Sequence, residues 1–251
     1  MLTRSDDYVE YCRETAKSAR DPHDLALRGR KNEEVTKLLH QQIAEAVGLH
    51  PGDELVDIGC GDGTMLRIAE SVGTKTAIGL LATEEEVAVL RRFGLNARQA
   101  LTDRLPLPDA SATVVVCNNV LLVVPLEQIP SSLREIHRIA KPGARIFLGE
   151  IPCSQQQDPT PQFTTRRELL SYLYRKHGLR TWFGMARRMA YRQLNGKPPL
   201  INSGTAISFW ATPKEFTAMA QDAGLQLVRH WECWQYTTRN NYLFQKPGAQ
   251  S

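Results

Sequence analysis

Glu54-Leu55-Val56-Asp57-Ile58-Gly59-Cys60-Gly61-Asp62-Gly63-Thr64 decides how the rest of the chain is read. The short, largely apolar run Glu54–Ile58 has the look of a buried strand. It feeds three alternate glycines, and an apolar-periodic segment through Met65–Val72 follows as a helix. Glycines in such a turn reach positive φ and let the backbone approach a ligand with no Cβ in the way. The helix start behind them offers free N–H groups and a positive dipole end, which suit a carboxylate or phosphate. The spacing is G-x-G-x-G, so the G-x-G-x-x-G pyrophosphate fingerprint of dinucleotide enzymes is not met.

Outward from this turn the chain alternates. Upstream, Val35, Leu38, Leu39, Ile43 and Val47 recur at helical spacing until Pro51-Gly52 breaks the pattern. Downstream, Thr76–Leu81 is apolar again, and Thr83 with Glu86 three residues on forms a capping box that opens a helix. Ala112–Cys117 is rich in β-branched residues, as a strand buried on both faces should be. Ser131–Ile139 reads as a helix stopped by Lys141-Pro142-Gly143, and Ala144–Ile151 as another buried strand. Strands alternating with helices predict βαβ units and a mostly parallel α/β sheet. Thr212-Pro213-Lys214-Glu215 is a second capping box, with a helix to Ala223-Gly224. Leu225–Trp234 and Tyr242–Lys246 leave no room for a helix between them, so they are expected to pair antiparallel. The expected divisions are an N-terminal helical segment over 1–50, a Rossmann-like core over 51–152, a helical insertion over 153–208 and the rest of the core sheet over 209–251.

A chain of 251 residues with 42% hydrophobic and 23% charged content suits one well-filled core. No stretch approaches the roughly 20 apolar residues of a membrane span. The start, Met1-Leu2-Thr3-Arg4-Ser5-Asp6-Asp7, lacks the apolar centre of a signal peptide, so a cytoplasmic protein is expected. The five scattered cysteines contain no CxxC pair and point to reduced thiols, not a zinc site. The net charge is only +4, but nine basic residues lie between Thr160 and Leu200 against Glu168 alone. That segment carries +8 and the remainder −4. Its apolar stripes (Leu169, Leu170, Leu173; Trp182, Met185, Ala186, Met189) and Arg187, Arg188 and Arg192 describe either packed helices with solvated arginines or a lid meeting an anionic substrate or a lipid surface. One short basic cluster with no RNA module gives no reason to expect a nucleic-acid partner.

Asp57-Ile58-Gly59-Cys60-Gly61-Asp62-Gly63 resembles motif I of the class I methyltransferases that depend on S-adenosylmethionine (SAM). The likeness continues, in order and spacing, through Leu105–Ser111, Val114–Val124 and Leu133–Gly143, and is nearest to the small-molecule methyltransferases related to the ubiquinone and menaquinone enzymes. It covers roughly residues 35–151 and, more loosely, 212–246. The resemblance implies a seven-stranded sheet with a C-terminal antiparallel hairpin, SAM as cofactor and a small-molecule substrate. It places the methionine part of SAM over Gly59, Cys60 and Gly61, with Asp57 orienting the loop. Asn118 and Asn119 would lie beside the sulfonium and the substrate, although Asn119 reads equally well as an amide capping a strand end.

The chain also departs from that pattern. The acidic residue that usually ends the second strand and grips the ribose hydroxyls is Leu81 here. The Asp near the adenine amine is Leu101, and the Phe-Asp opening the fourth strand is Ala112-Thr113. Thr83, Glu84, Thr102 or Asp103 are the candidates to compensate. The expected cofactor set is therefore Asp57, Gly59, Cys60, Gly61, Leu81, Thr102 and Asn118, with no metal. The sequence does not single out a catalytic residue: His23, Glu150, Tyr8 and Tyr11 are all candidate bases for an oxygen acceptor. It names neither the acceptor atom nor an oligomeric state. The lost acidic positions motivate a rival reading, a methyltransferase-fold binding or regulatory subunit without catalysis.

Overall fold

The computed structural model describes residues 4–25, 33–156, 209–233 and 238–248, together with Leu179, Phe183 and Arg187. The chain divides into two units, Met1–Gln156 with Ile207–Ser251, and Gln157–Ala206. The first holds a seven-stranded sheet. Its strands are β1 (Glu54–Ile58), β2 (Thr76–Leu81), β3 (Ala97–Gln99), β4 (Ala112–Asn118), β5 (Ala140–Pro152), β6 (Gln226–Glu232) and β7 (Arg239–Gln245). They lie in the order β3-β2-β1-β4-β5-β7-β6, with β7 antiparallel to both neighbours and the other pairs parallel. This is the Rossmann-like, mostly parallel sheet with a C-terminal antiparallel hairpin.

The helices of this unit are α1 (Arg4–Lys17), α2 (Glu33–Ala46), α3 (Thr64–Val72), α4 (Glu84–Arg92), α5 (Ile129–Ile139) and α6 (Pro213–Asp222). Side chains alternate across β4: Val115 and Cys117 join Ile129, Leu133 and Ile136 of α5, whereas Val114 and Val116 join Leu39 and Ile43 of α2 and Met65 and Ala69 of α3. A third cluster sets Ala16 of α1 with Val87 and Leu90 of α4 and Leu66 of α3. A strand buried on both faces needs a continuous apolar run, and Thr-Val-Val-Val-Cys supplies one.

Several boundaries differ from the sequence reading. Helix α5 starts two residues early because Pro130 sits in its first turn, where a missing N–H costs nothing. Strand β5 starts at Ala140, which pairs with Ala112 ahead of the turn at Gly143. Strand β7 begins at Arg239. Leu38, expected in the apolar stripe of α2, is 48% exposed, because the stripe that packs runs through Leu39, Ile43 and Val47. In the second unit, Leu179, Phe183 and Arg187 are helical and exposed. The apolar stripes expected there, and Arg188 and Arg192, lie outside the described residues. No helix among the described residues is long and apolar enough to cross a membrane.

Candidate functional site

Strand β1 is flanked by β2 on one side and β4 on the other, so the chain reverses direction across the sheet at this point. Open α/β sheets bind ligands in the crevice at the carboxyl ends of the strands beside such a switch point. A cavity of about 410 Å³ lies there, walled by the ends of β1, β2 and β4 and by α1 and α2. That volume falls in the range of small-molecule sites.

The glycine turn forms one wall. The N–H groups of Gly59 and Cys60 both donate to the Leu80 carbonyl, at 2.7 and 3.3 Å, which ties the turn to the end of β2. Asp62 Oδ1 accepts from the Thr64 N–H (3.0 Å) and hydroxyl (2.7 Å), closing the first turn of α3 where Gly63 has no side chain to cap it. Gly61 has φ of +52°, and a Cβ built on it would meet nothing within 4 Å. The turn is therefore fixed from behind and bare toward the cavity, a cradle that a side chain would fill.

All seven residues expected to bind cofactor line this one cavity: Asp57, Gly59, Cys60, Gly61, Leu81, Thr102 and Asn118. The Cys60 side chain turns away, its Sγ packed beneath Gly79, so this residue presents its backbone. Leu81 is buried and aliphatic, and offers no acceptor to a hydroxyl. Thr102 Oγ1 lies 2.8 Å from Ser132 Oγ, which itself donates to the Gln128 carbonyl at 3.0 Å. The Ser132 proton is thus engaged, so Thr102 donates inward and its lone pairs remain for an amine donor. Asn118 faces Gly149 across the β4–β5 pair, where an added Cβ would lie 2.1 Å from Asn118 Oδ1. Gly149 makes room for the amide, a requirement the motif reading passed over.

Asn119 and Glu150, at the ends of β4 and β5, both take positive φ (61° and 59°). Such backbone costs about 1–3 kcal/mol per residue and persists only when the surroundings enforce it. Here Arg239 of β7 does so: its Nη1 donates to Asn119 Oδ1 at 2.9 Å and to Glu150 Oε2 at 2.8 Å. The Glu150 N–H donates to Asn241 Oδ1 at 3.0 Å. Glu150 is 1% exposed and is not among the residues lining the cavity, and its carboxylate is paired with Arg239. Among the other candidate bases, Tyr8 lines the cavity. Burial, then the nearby Cys12 and Glu86, raises its pKa well above the phenol range, which keeps it protonated. His23 lies 3.7 Å from Asp62 and Tyr11 is absent from the lining.

Of what the N-terminal helices bring, the sequence reading named Tyr8 and missed the rest. Tyr8, Cys12 and Arg13 of α1, and Thr36 and His40 of α2, line the cavity with Glu86 of α4. For Glu86 the signal in the sequence is the Thr83–Glu86 capping box, which announces a helix start, not a cavity carboxylate. The box is present in full: Glu86 N–H donates to Thr83 Oγ1, and Glu86 Oε2 accepts from the Thr83 N–H (3.2 Å) and hydroxyl (2.8 Å). Among the described residues no cluster of His, Cys, Asp and Glu is placed to hold a metal ion.

A family described as methyltransferase domain matches residues 56–148. The malonyl-[acyl-carrier protein] O-methyltransferase of Serratia marcescens is 30% identical over 110 residues, covering 43% of this chain and 42% of that protein. The chain spans less than half the length of the curated relatives it matches. In shape it resembles the partner of the Trm112 methyltransferase activator in a Haloferax volcanii complex (TM-score 0.60, 16% identity, 99% of this chain and 100% of that one). It also resembles the [4+2]-cyclase SpnF (TM-score 0.59, 14% identity, 98% and 94%).

Proposed function

We propose that this chain, whose residues 56–148 are a methyltransferase domain of the class I SAM-dependent type, transfers a methyl group from SAM to a small anionic acceptor. The observation that carries the reading is the bare face of Gly61 above a cavity of small-molecule size at the switch point of the sheet. When bound, SAM supplies an electrophilic sulfonium methyl. The residues do the positioning. The turn Gly59–Gly61 with Asp57 would hold the amino-acid end, Thr102 would accept from the adenine amine, and Asn118 would serve the reacting centre. Methyl transfer requires in-line approach of the acceptor, so holding both reactants in one geometry supplies most of the rate.

Two features support an anionic acceptor. The segment between Thr160 and Leu200 carries +8 in a chain otherwise at −4, and the Serratia relative acts, by its name, on a malonyl group carried by a protein. A second reading, a domain that binds without transferring the methyl, rests on Leu81 and Leu101 standing where acidic residues are usual, and it predicts cofactor binding with no turnover of any acceptor.

Calorimetry with S-adenosylhomocysteine tests the site. Wild type should bind, and Gly61→Val should lose at least tenfold in affinity, because its side chain occupies the cradle. The positive φ at Gly61 makes the substitution cost about 1–3 kcal/mol of stability as well. Equal affinity in the two proteins would place the ligand elsewhere.

A further inference from the structure

We propose that Glu86 grips the ribose diol of the cofactor, supplying from the first turn of α4 the carboxylate that the end of β2 lacks. The inference rests on the cavity being the SAM site. A carboxylate suits a diol because its two oxygens only accept, whereas the two hydroxyls donate, and hydrogen bonds to an ionised group are among the strong ones. Among the described residues four acidic side chains line the cavity: Asp57, Asp62, Glu86 and Asp103. Asp62 is committed to the start of α3. Asp57 lies beneath the glycine turn, and Asp103 belongs to the turn after β3. Glu86 lines the cavity with Leu80, Leu81 and Ala82, and its carboxylate is hydrogen-bonded to Thr83, two residues past the strand end where the resemblance places the ribose carboxylate.

Its setting is not what capping requires. The described residues include two complete capping boxes. In the second, Thr212 with Glu215, the carboxylate is exposed to solvent. In the first, Glu86 is 7% exposed, and burial raises its pKa. Leaving a carboxylate in such a wall is costly without strong donors. Thr83 supplies two donors, and among the described residues the Cys12 thiol, itself joined to Tyr8, is a further partner. A thiol is a weak donor. Two ribose hydroxyls are stronger ones and would take its place. Leu81 fits the same arrangement, because a second carboxylate beside Glu86 would be repelled by it. Leu81 and Glu86 are then one exchange: the acid has moved from the strand end to the helix.

Binding of adenosine and of 2′,3′-dideoxyadenosine, followed by ligand-detected NMR alongside S-adenosylhomocysteine calorimetry, tests this without turnover. Wild type should prefer adenosine by at least tenfold. Glu86→Gln keeps an oxygen for Thr83 and should fold, but its preference should collapse to threefold or less. Adding Leu81→Asp to Glu86→Gln should restore the preference. A wild type that binds S-adenosylhomocysteine yet does not distinguish the two nucleosides overturns the proposal, as does a Glu86→Gln protein that distinguishes them as well as wild type. If wild type binds neither S-adenosylhomocysteine nor adenosine, the reading of the cavity itself fails.

Discussion

His40 sits on the cavity wall with its Nδ1 2.8 Å from the carbonyl of Thr36, one turn back along α2. A carbonyl can only accept, so in the neutral ring Nδ1 carries the hydrogen and Nε2 keeps the lone pair. If His40 is the group that takes a proton from an oxygen acceptor, its loss should appear in turnover and not in cofactor binding. On that reading His40→Gln should lower kcat by about 10²–10⁴-fold, the range for a positioned general base. Its affinity for S-adenosylhomocysteine should stay within twofold of wild type. An equal loss in both would make His40 a cofactor contact and not a base. None of this is legible in the sequence, where His40 is one polar residue on an amphipathic helix and its role follows from where that helix packs. The glycine turn is different. Its spacing specifies its own backbone geometry, so Gly59, Cys60 and Gly61 are readable without any tertiary information.

Elements divide in the same way. Strands β1, β2 and β4 declare themselves because burial on both faces demands unbroken apolar runs, whereas β3 has three residues and leaves no pattern to read. The start of β7 is hidden for another reason: Arg239, Asn240 and Asn241 are polar, yet the two asparagines are buried and Arg239 bridges to β5. A buried ion pair is destabilising to break from one side, because the remaining charge is left without compensation. Arg239→Met should therefore cost about 3–5 kcal/mol in denaturant unfolding at pH 7. The double substitution Arg239→Met with Glu150→Gln should recover most of that loss, since it removes the stranded charge. A single variant within 1 kcal/mol of wild type would mean that the pair contributes nothing and that other contacts hold Asn119 and Glu150 at positive φ.

Across the whole molecule, charge acts with two signs. Glu54, held by Lys141 and Lys75, and Glu135, held by Arg138, have pKa values below the usual carboxylate range. Their native values lie under the unfolded ones, so the stability they add is present above about pH 4 and is lost as pH falls through the native values. Glu86 has the opposite sign. Its native value is raised, so its stability is full below about pH 4 and is lost as pH rises through that value. Thermal melts of Glu86→Gln should show stability relative to wild type growing from pH 4 to 7, whereas Glu54→Gln should be worse than wild type at pH 7 and converge with it near pH 3. The strongest asymmetry of charge, however, belongs to the segment between Thr160 and Leu200, at +8 against −4 for the rest. If its arginines face an anionic acceptor, Arg187→Glu with Arg188→Glu should raise the KM for that acceptor. The effect should shrink as salt is added, because exposed charges are screened over about 8–10 Å. S-adenosylhomocysteine affinity should hold within twofold, since the glycine turn and Glu86 come from a different part of the chain. Solvated arginines on a packed helix predict no change in either constant. A loss of cofactor affinity matching the loss for acceptor would end the division of labour between the basic segment and the cavity.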